Sequence, residues 1–291
     1  MLKTDIILDV HDSRSISKTA EKHNYSQSAV SQAISSYEKE LGIKLFKRSK
    51  NGMEPLPGTA GIFEELRNIH TSDAHIQELA AGLHNLDSGF IRIGTIQSIA
   101  YHWLPGIFKK FSTEYPGIKF ELYVDGFTGL KKKLREKQLD CIFISEYSAS
   151  GLDFIPVGDD ELMLVTPMNH PLAKKLSVSF SEINGRDFIL GCDDVNYEAG
   201  DLIRSKHLTP NVRFRINEDY TAIKMVEEGF GITVLPALLL HNVPFEVCVR
   251  SFTEHYQRVL GLALLESQEP MPALRKFIDF TVEWSRENGM M

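Results

Sequence analysis

The first 58 residues alternate short apolar stretches with polar breaks, a pattern typical of short helices joined by turns. The stretch SKTAEKH is predicted to end one helix and QSAVSQAISSYEKEL to form the next, with NY as the turn between them. Asn24 tolerates the left-handed backbone that a tight turn can need, and Ser26 is a preferred N-cap for the second helix. The sequence therefore predicts a helix pair near its start.

A longer periodic segment follows this helix pair. Its positions recur at alternating steps of four and three residues for about three heptads without a proline, which is the spacing of a coiled coil. They are Ile62, Leu66, Ile69, Asp73, Ile76, Ala80 and Leu83. Asp73 is the one polar member of this seam. The seam predicts a helix that pairs with a second chain, and the alternative is a single amphipathic helix lying on its own domain.

After residue 89 the pattern changes to strands that alternate with helices. The strands FIRIGTI, IKFELYV and LDCIFIS enclose the helices SIAYHWLPGIFKKFSTEY and TGLKKKLREKQ. Further segments of this alternation are ELMLVTP, DFILGC, RFRINE, TAIKMVEEGFG and ITVLPALL. Such alternation predicts largely parallel sheets covered on both faces, and roughly 200 residues of it predict two lobes.

Length and charge add a division between the two ends of the chain. The 291 residues exceed what one hydrophobic core usually fills, so at least two domains are expected. The net charge is −7, yet residues 1–60 carry nine Lys and Arg against seven Asp and Glu. Between positions 39 and 50, Glu40 faces Lys39, Lys44, Lys47, Arg48 and Lys50. This basic patch indicates a polyanionic partner for one domain, with an ordinary solvated surface as the alternative.

Several classes of protein are disfavoured by composition. The longest mostly apolar stretch, ITVLPALLL, has nine residues and contains Pro236, so no membrane span is predicted. Asp5 and Asp9 interrupt what would be the apolar part of a signal peptide, which makes the cytoplasm the expected location. No HxxxH or HExxH pair occurs, so neither a metal site nor a cofactor is predicted. Three dispersed cysteines argue against a disulfide framework: Cys141, Cys192 and Cys248.

The second predicted helix carries candidate chemistry on its polar face. Short polar side chains let a helix sit deep in the major groove of DNA, where Gln can pair with adenine and Ser can bond to bases or phosphate. The candidates are Gln27, Ser28, Ser31, Gln32 and Ser35. Downstream, FKRSKNGM is interpreted as a charged loop in which Arg48 and Lys50 grip phosphates. The alternative is a polar helix that simply faces solvent.

The run SQSAVSQAISSYEKELGIKLFKR resembles the winged helix-turn-helix of LysR-type transcriptional regulators. In that family a serine-started helix is followed by a Glu, a Leu-Gly pair and a Leu-Phe-x-Arg entry to the wing. The matching residues are Glu38, Leu41, Gly42, Leu45, Phe46 and Arg48. Further stretches similar to the family are IRIGTIQSIAYHWLPGIFKKFSTEYPGIKFEL, QLDCIFI and MVEEGFGITVLP, so the resemblance covers nearly the whole chain.

The resemblance implies an α/β protein with an N-terminal winged helix-turn-helix, a long linker helix and a two-lobed effector domain of the periplasmic-binding-protein kind. The expected ranges are 1–58, 59–87 and 88–291, with 88–161 and 267–291 in the first lobe and 162–266 in the second. It also implies a dimer of dimers, promoter DNA and RNA polymerase as partners, and no catalysis. The sequence departs from the family at His23 and Tyr37, where leucine is common, and at Gln32, where many members carry arginine.

Three predicted helix starts indicate where an effector would bind. GTIQS ends a strand and opens a helix near Ser98, and similar starts lie at Thr128 and Thr221. Unpaired N–H groups at such starts favour anions, so an anionic metabolite is predicted. The family resemblance places the matched effector pocket at Ser98 and near Thr128 and Ser145. With neighbouring residues, the candidates are Thr95, Gln97, Ser98, Thr128, Ser145, Cys192 and Thr221.

Two alternatives to this effector hypothesis remain open. These polar residues could simply cap helices or end strands. Asp125 and Asp219 would oppose an anion if they faced the cleft, leaving a neutral or zwitterionic ligand. A different class of protein is also conceivable, either a solute-binding protein or an enzyme. For an enzyme the candidate cluster is Cys192 with Asp193 and Asp194, which lacks a histidine nearby in the sequence.

Overall fold

The computed structural model of the protein describes residues 3–50, 52–84, 88–191, 198–266 and 269–290, with backbone only at 74, 75, 77–84 and 88. The chain divides into two compact units, residues 1–80 and 81–291. The elements of the first unit are α1 (Lys3–Ser13), α2 (Ile16–Lys22), α3 (Gln27–Leu41), β1 (Phe46–Ser49), β2 (Gly52–Pro55) and α4 (Ala60–His84). The last residues of α4 belong to the second unit.

The first unit confirms the predicted helix pair. Asn24 has φ 55°, the left-handed conformation expected in the turn, and the Ser26 hydroxyl accepts a hydrogen bond from the Ala29 amide at 3.2 Å. The stretch FKRSKNGM was interpreted from its charge as a loop, but its backbone belongs to an antiparallel hairpin of β1 and β2. This hairpin is the wing that the family resemblance implies. Gly52 has φ 103°, and a Cβ there would lie 2.2 Å from the Arg14 carbonyl oxygen. The hairpin can thus approach the end of α1 only through a glycine.

The predicted seam lies on helix α4, where some of its residues are buried and others are exposed. Leu66 is 1% exposed and packs into the core of the first unit, as the single-helix alternative predicts. Ile69 and Ile76 are 47% and 59% exposed, so the chain itself does not cover them. The side chains of Ala80 and Leu83 lie outside the described residues. Among the described seam residues, Ile69 and Ile76 are therefore the apolar ones open to a partner.

The second unit alternates strands and helices as the sequence predicts. Its elements are β3 (Ser88–Thr95), α5 (Gln97–His102), α6 (Leu104–Glu114), β4 (Gly117–Val124), α7 (Phe127–Arg135), β5 (Cys141–Ser145), β6 (Leu152–Pro167), β7 (Ser177–Val178), β8 (Asp187–Gly191), α8 (Glu198–Ser205), β9 (Asn211–Ile216), α9 (Asp219–Glu227), β10 (Thr233–Pro236), α10 (Ala237–Leu240), β11 (Val247–Phe252), β12 (Gln257–Leu265) and α11 (Pro272–Glu287). The single helix predicted over 98–115 is two helices, α5 and α6. Pro105 in the first turn of α6 has no N–H to continue the hydrogen bonds of α5.

The main sheet is mixed, which corrects the prediction of largely parallel sheets. Its strand order is β4-β3-β5-β12-β6-β11-β7, with β10 also paired to β6. Strands β10, β11 and β12 all run antiparallel to the 16-residue strand β6. The reason is that β6 extends through both lobes, so the chain that returns along it must run in the opposite direction. Strand direction is not encoded in hydrophobic periodicity.

Each lobe has its own hydrophobic packing. The first includes Phe111, Phe143 and Phe277, the last from α11, while the second includes Phe188 and Phe252. Strand β12, which the sequence analysis assigned to the second lobe, packs its apolar side chains into the first. This assignment is corrected because β12 pairs with β5 as well as β6. Strand β6 therefore runs through both lobes, and its neighbour β12 packs into the first.

Candidate functional site

The polar face of α3 is presented by the packing of its other face. Val30 and Ile34 are buried in the core of the first unit at a four-residue spacing, so the intervening positions turn outward. Of the predicted DNA-binding residues on this helix, the exposed ones are Gln27, Ser28, Gln32 and Ser35. Ser31 is half-buried. The helix thereby offers amide and hydroxyl groups on one open surface.

A buried carboxylate fixes the connection between α3 and the wing. One Glu38 oxygen accepts hydrogen bonds from the amides of Leu45 at 2.9 Å and Phe46 at 3.3 Å, and the other from Lys44 Nζ at 2.6 Å. Burial alone would raise the pKa of Glu38, but Lys44 and the two amides together lower it below its ordinary value. The carboxylate therefore stays charged at neutral pH and holds β1 against the end of α3.

The two predicted phosphate-binding residues lie on or beside the wing. Arg48 is exposed on β1, and its guanidinium donates to the Ser31 hydroxyl of α3 at 3.4 Å. Lys50 is exposed in the turn between β1 and β2. By contrast, the Lys47 ammonium lies 3.2 Å from the Glu54 carboxylate. Arg48 thus joins the wing to the polar face of α3, and Lys50 extends positive charge beyond it.

Two of the three departures from the family pattern, at His23 and Tyr37, have local explanations. The His23 imidazole forms a hydrogen bond with Asp9 of α1, whose other oxygen accepts from Lys22 Nζ at 2.6 Å. Burial would raise the pKa of Asp9, but Lys22 and His23 lower it. A polar contact thus stands between α1 and α2 where leucine is common in the family. Tyr37 packs half-buried against the core.

A cavity of about 300 Å³ lies between the lobes of the second unit. It opens where α5, α7, α8, α9, α10 and β12 approach one another. Its lining residues are Ile96, Gln97, Ser98, Val124, Asp125, Gly126, Phe127, Glu198, Asn217, Asp219, Pro236, Leu239 and Arg258. Apolar side chains thus alternate with carboxylates around one arginine.

Arg258 ties together four parts of the chain at the wall of this cavity. Its guanidinium donates to Asp160 of β6 at 2.8 and 3.1 Å, to Glu198 of α8 at 3.0 Å and to the Ser98 hydroxyl of α5 at 3.2 Å. Asp160 also accepts from the Leu238 amide at 2.9 Å. Burial alone would lower the pKa of Arg258, but Glu198 and Asp160 raise it above its ordinary value. The guanidinium is therefore permanently charged and shared by two carboxylates.

Sequence reasoning missed three of these four residues, namely Arg258, Asp160 and Glu198. The available signal for Arg258 was a lone charge at the head of the apolar run VLGLALL. Charged residues are almost never fully buried unless they are paired. That signal shows that a partner is needed, but the partners lie about 60 and 98 positions away in the chain.

The structure brings two of the predicted effector residues to the cavity, Gln97 and Ser98. Thr95 is buried, and its hydroxyl donates to the Ile96 carbonyl at 3.2 Å. Ser145 is also buried, whereas Thr128 and Thr221 are exposed. None of these four is among the residues that line the cavity. Cys192, together with Asp193 and Asp194, lies outside the described residues.

One of the three helix starts proposed for an anion is already capped by a carboxylate, and a second has a carboxylate beside it. An oxygen of Asp125 accepts from the Gly126 amide at 2.8 Å, at the start of α7. At α9, Glu218 accepts from the amides of Tyr220 at 3.1 Å and Thr221 at 2.7 Å, and from the Thr221 hydroxyl. Glu218 is therefore the N-cap of α9, and Thr221 donates to it from the first turn. The favourable field of these helix ends is used within the protein itself.

Metal ligation and membrane insertion find no support in the described residues. Within those ranges, no group of three His, Cys, Asp or Glu side chains is placed to hold a metal ion. Among the same residues, no helix combines the length and the apolar character needed to span a bilayer.

Two family profiles match the chain. The profile of the bacterial regulatory helix-turn-helix protein of the lysR family matches residues 4–57. That of the LysR substrate binding domain matches residues 84–286. The probable HTH-type transcriptional regulator LrrA of Synechococcus elongatus is 29% identical over 283 residues, which cover 94% of this chain and 93% of LrrA.

Solved structures show the same fold. Full-length CbnR complexed with target DNA has a TM-score of 0.77 at 14% identity, covering 97% of this chain and 98% of CbnR. The effector binding domain of QuiR in complex with shikimate has a TM-score of 0.63 at 24% identity, covering 69% of this chain and 98% of that domain. At these identities the likeness concerns the fold alone. Together with the exposed face of α3, the matches identify a regulator of transcription rather than an enzyme.

Proposed function

The chain belongs to the LysR family of DNA-binding transcriptional regulators, and we propose that it binds promoter DNA as a homo-oligomer and responds to a small molecule in the cavity of its second unit. In this proposal it acts in the cytoplasm as a dimer of dimers, with RNA polymerase as a further partner. The observation that carries the proposal is the exposed polar face of α3 beside the cationic wing.

In the proposed complex, α3 enters the major groove. Gln32 lies near the middle of its exposed face and has the side chain that can pair bidentately with adenine. The hydroxyls of Ser28, Ser31 and Ser35 bond to bases or phosphate, and Gln27 lies at the first turn. Arg48 and Lys50 hold the phosphate backbone, because their charged ends are exposed on the wing. DNA would displace the weak 3.4 Å contact of Arg48 with Ser31.

Assembly in this proposal uses the open part of α4. Ile69 and Ile76 are seven residues apart on the same face, and both are largely exposed. Large apolar side chains repeated at a heptad spacing favour pairing with a second copy of the helix. A dimer would also place two copies of α3 at a fixed separation, as the two half-sites of an operator require.

The effector part of the proposal rests on Gln97, Ser98 and the cavity between the lobes. The complex of the QuiR effector binding domain with shikimate supports a small-molecule role for a domain of this fold. Four further candidates contribute indirectly at most, since they do not line the cavity: Thr95, Thr128, Ser145 and Thr221. Cys192 lies outside the described residues. The contact at α9 speaks against the anionic metabolite that the helix starts predict, because Glu218 already caps that end. Asp125 places a second carboxylate beside the start of α7.

Retention of genomic DNA fragments by the full-length protein, followed by footprinting, tests the proposal. We expect protection of two half-sites separated by about one helical turn of DNA, or a multiple of it. Binding should weaken steeply as salt rises. A protein that retains no genomic fragment at low salt would instead be a two-lobed small-molecule-binding protein or an enzyme.

A further inference from the structure

Glu198 presents an unusual carboxylate to the cavity. Its side chain is 4% exposed, and one oxygen accepts from Arg258 at 3.0 Å. The other oxygen is buried and has no hydrogen-bond partner among the described residues. A buried carboxylate oxygen without a donor is costly, since a charged acceptor has lost water and gained nothing in exchange. Glu198 lines the cavity, so a ligand there can supply the missing donor.

The charges around the cavity define which donor fits. Arg258 is the only basic residue among the described lining residues, and its guanidinium already serves Glu198 and Asp160. Arg258, Asp160 and Glu198, here called the Arg258 group, together carry one net negative charge. Asp125 adds another carboxylate at the lining, and one of its oxygens accepts from the Gly126 amide. A ligand carboxylate would therefore meet negative charge without a free cation to pair with.

We propose that the effector carries a protonated amine that donates to the unpaired oxygen of Glu198. This inference rests on the proposed effector role of the cavity. The amine neutralises the net charge of the Arg258 group and completes the hydrogen bonds of Glu198. The rest of the ligand lies against the apolar part of the lining, which includes Ile96, Phe127 and Leu239.

The size of the cavity limits the ligand. Its volume of about 300 Å³ equals roughly ten water molecules in the liquid, so a ligand of roughly ten non-hydrogen atoms fits. A small amine or amino acid has this size. The ligand also bridges the lobes, because Ser98 and Glu198 belong to different lobes and both contact Arg258. Binding at this point is therefore placed to change how the lobes are held together.

A set of four-carbon probes tests the inference on the unmodified full-length protein. Putrescine, 4-aminobutyrate, butane-1,4-diol and succinate share a similar skeleton and differ in their end groups. Binding is measured by calorimetry and thermal shift up to ~10 mM, which detects dissociation constants of ~1 mM or less. We expect the two amines to bind more tightly than the diol and the diacid.

Two variants locate the binding. Glu198→Gln keeps the shape of the side chain and removes its charge, and we expect it to weaken amine binding roughly tenfold to a hundredfold, as for one hydrogen bond to a charged group. Glu246→Gln is the matched control, because Glu246 is exposed and does not line the cavity. It should leave amine binding unchanged.

The outcomes separate this inference from the proposed function. Tighter binding of succinate or the diol, no binding by either amine, or amine binding that Glu198→Gln leaves intact would each overturn the amine assignment. Retention of operator DNA with and without putrescine then tests the regulatory role on its own. Amine binding that depends on Glu198 but leaves DNA binding unaltered would support the site and contradict its role as an effector site.

Discussion

The two candidate sites of this protein place their polar groups in opposite environments. On α3 of the first unit, Gln32 and Ser35 are exposed and belong to one continuous helix. In the second unit, Ser98, Asp160, Glu198 and Arg258 are at most 7% exposed and come from four different elements. A surface that binds DNA can keep its polar groups in water until the partner arrives. A cavity wall must satisfy its polar groups within the protein, because burial without partners is costly.

The comparison predicts that the two sites respond differently to mutation. Changes on α3 should alter binding and leave folding intact, whereas changes in the Arg258 group should affect both. The exception in the first unit is Glu38, which is buried although it lies on the same helix as the exposed candidates.

The largest effect is expected for Arg258→Met, which leaves the buried carboxylates Asp160 and Glu198 without their cation. We expect a loss of about 3–5 kcal/mol in the free energy of unfolding, measured by urea denaturation. The matched control is Arg213→Met. Its ion pair with Asp187 at 2.9 Å is about half exposed, so a loss below about 1 kcal/mol is expected. Equal losses of unfolding free energy in the two variants would show that the buried ion pairs of Arg258 stabilise the protein no more than the exposed Arg213–Asp187 pair does.

A second pair of variants tests the buried and the exposed seam residues of α4 separately. Leu66→Ala removes a side chain buried in the core of the first unit, so we expect a loss of about 2–5 kcal/mol in its stability. The double variant Ile69→Asp with Ile76→Asp changes exposed positions, so the unit should stay folded while the dimer dissociates. Circular dichroism and sedimentation distinguish the two effects. An unchanged sedimentation coefficient in the double variant would contradict the proposed dimer contact.

Glu38→Gln tests the buried exception in the first unit. Loss of the charge weakens three hydrogen bonds, and we expect about 1.5–3 kcal/mol of destabilisation at pH 7. The folded-state pKa of Glu38 is lowered, so its contribution is fully present above the unfolded pKa near 4.5 and is lost as pH falls through the folded value. The difference between wild type and variant should therefore shrink below about pH 4.5. A difference that is constant from pH 7 to pH 3 would exclude this role.

Gln32→Ala tests base recognition at the exposed site. We expect a loss of about 1–3 kcal/mol in binding to the specific operator and little change on random DNA. Ser36→Ala is a control on the same helix, since its hydroxyl faces Lys3 of α1 at 3.5 Å. Folding stability should be unaffected in both variants. Equal losses on specific and random DNA would assign Gln32 to the phosphate backbone instead.

The smallest expected effect is that of Arg48→Ala. Removing one phosphate contact should weaken binding to all sequences and flatten the dependence of log K on log salt by about one unit. Lys47→Ala should change the slope less, because Glu54 already pairs with that ammonium. A salt slope that is unchanged in Arg48→Ala would leave its contact with Ser31 as its role.

Local patterns were sufficient for much of the first unit. The Ser26 cap, the turn at Asn24 and the helix Gln27–Leu41 all follow from neighbours within a few residues. The family resemblance implied the wing, but the local pattern of FKRSKNGM was interpreted as a loop, because β1 and β2 are only four residues each. The seam of α4 was visible as a period, but which of its residues face the core was not.

The sequence by itself determined the first helix pair, the alternation of strands and helices after residue 89 and the polar face of α3. It did so because helix periodicity, caps and turns depend on residues close together in the chain. The family followed from the resemblance of the motifs. Only the tertiary structure decided that β6 joins both lobes and that Arg258 contacts Ser98, Asp160 and Glu198. These features depend on contacts between residues that are distant in the chain. The net charge at the cavity is the sum of the charges of the residues that those contacts bring together.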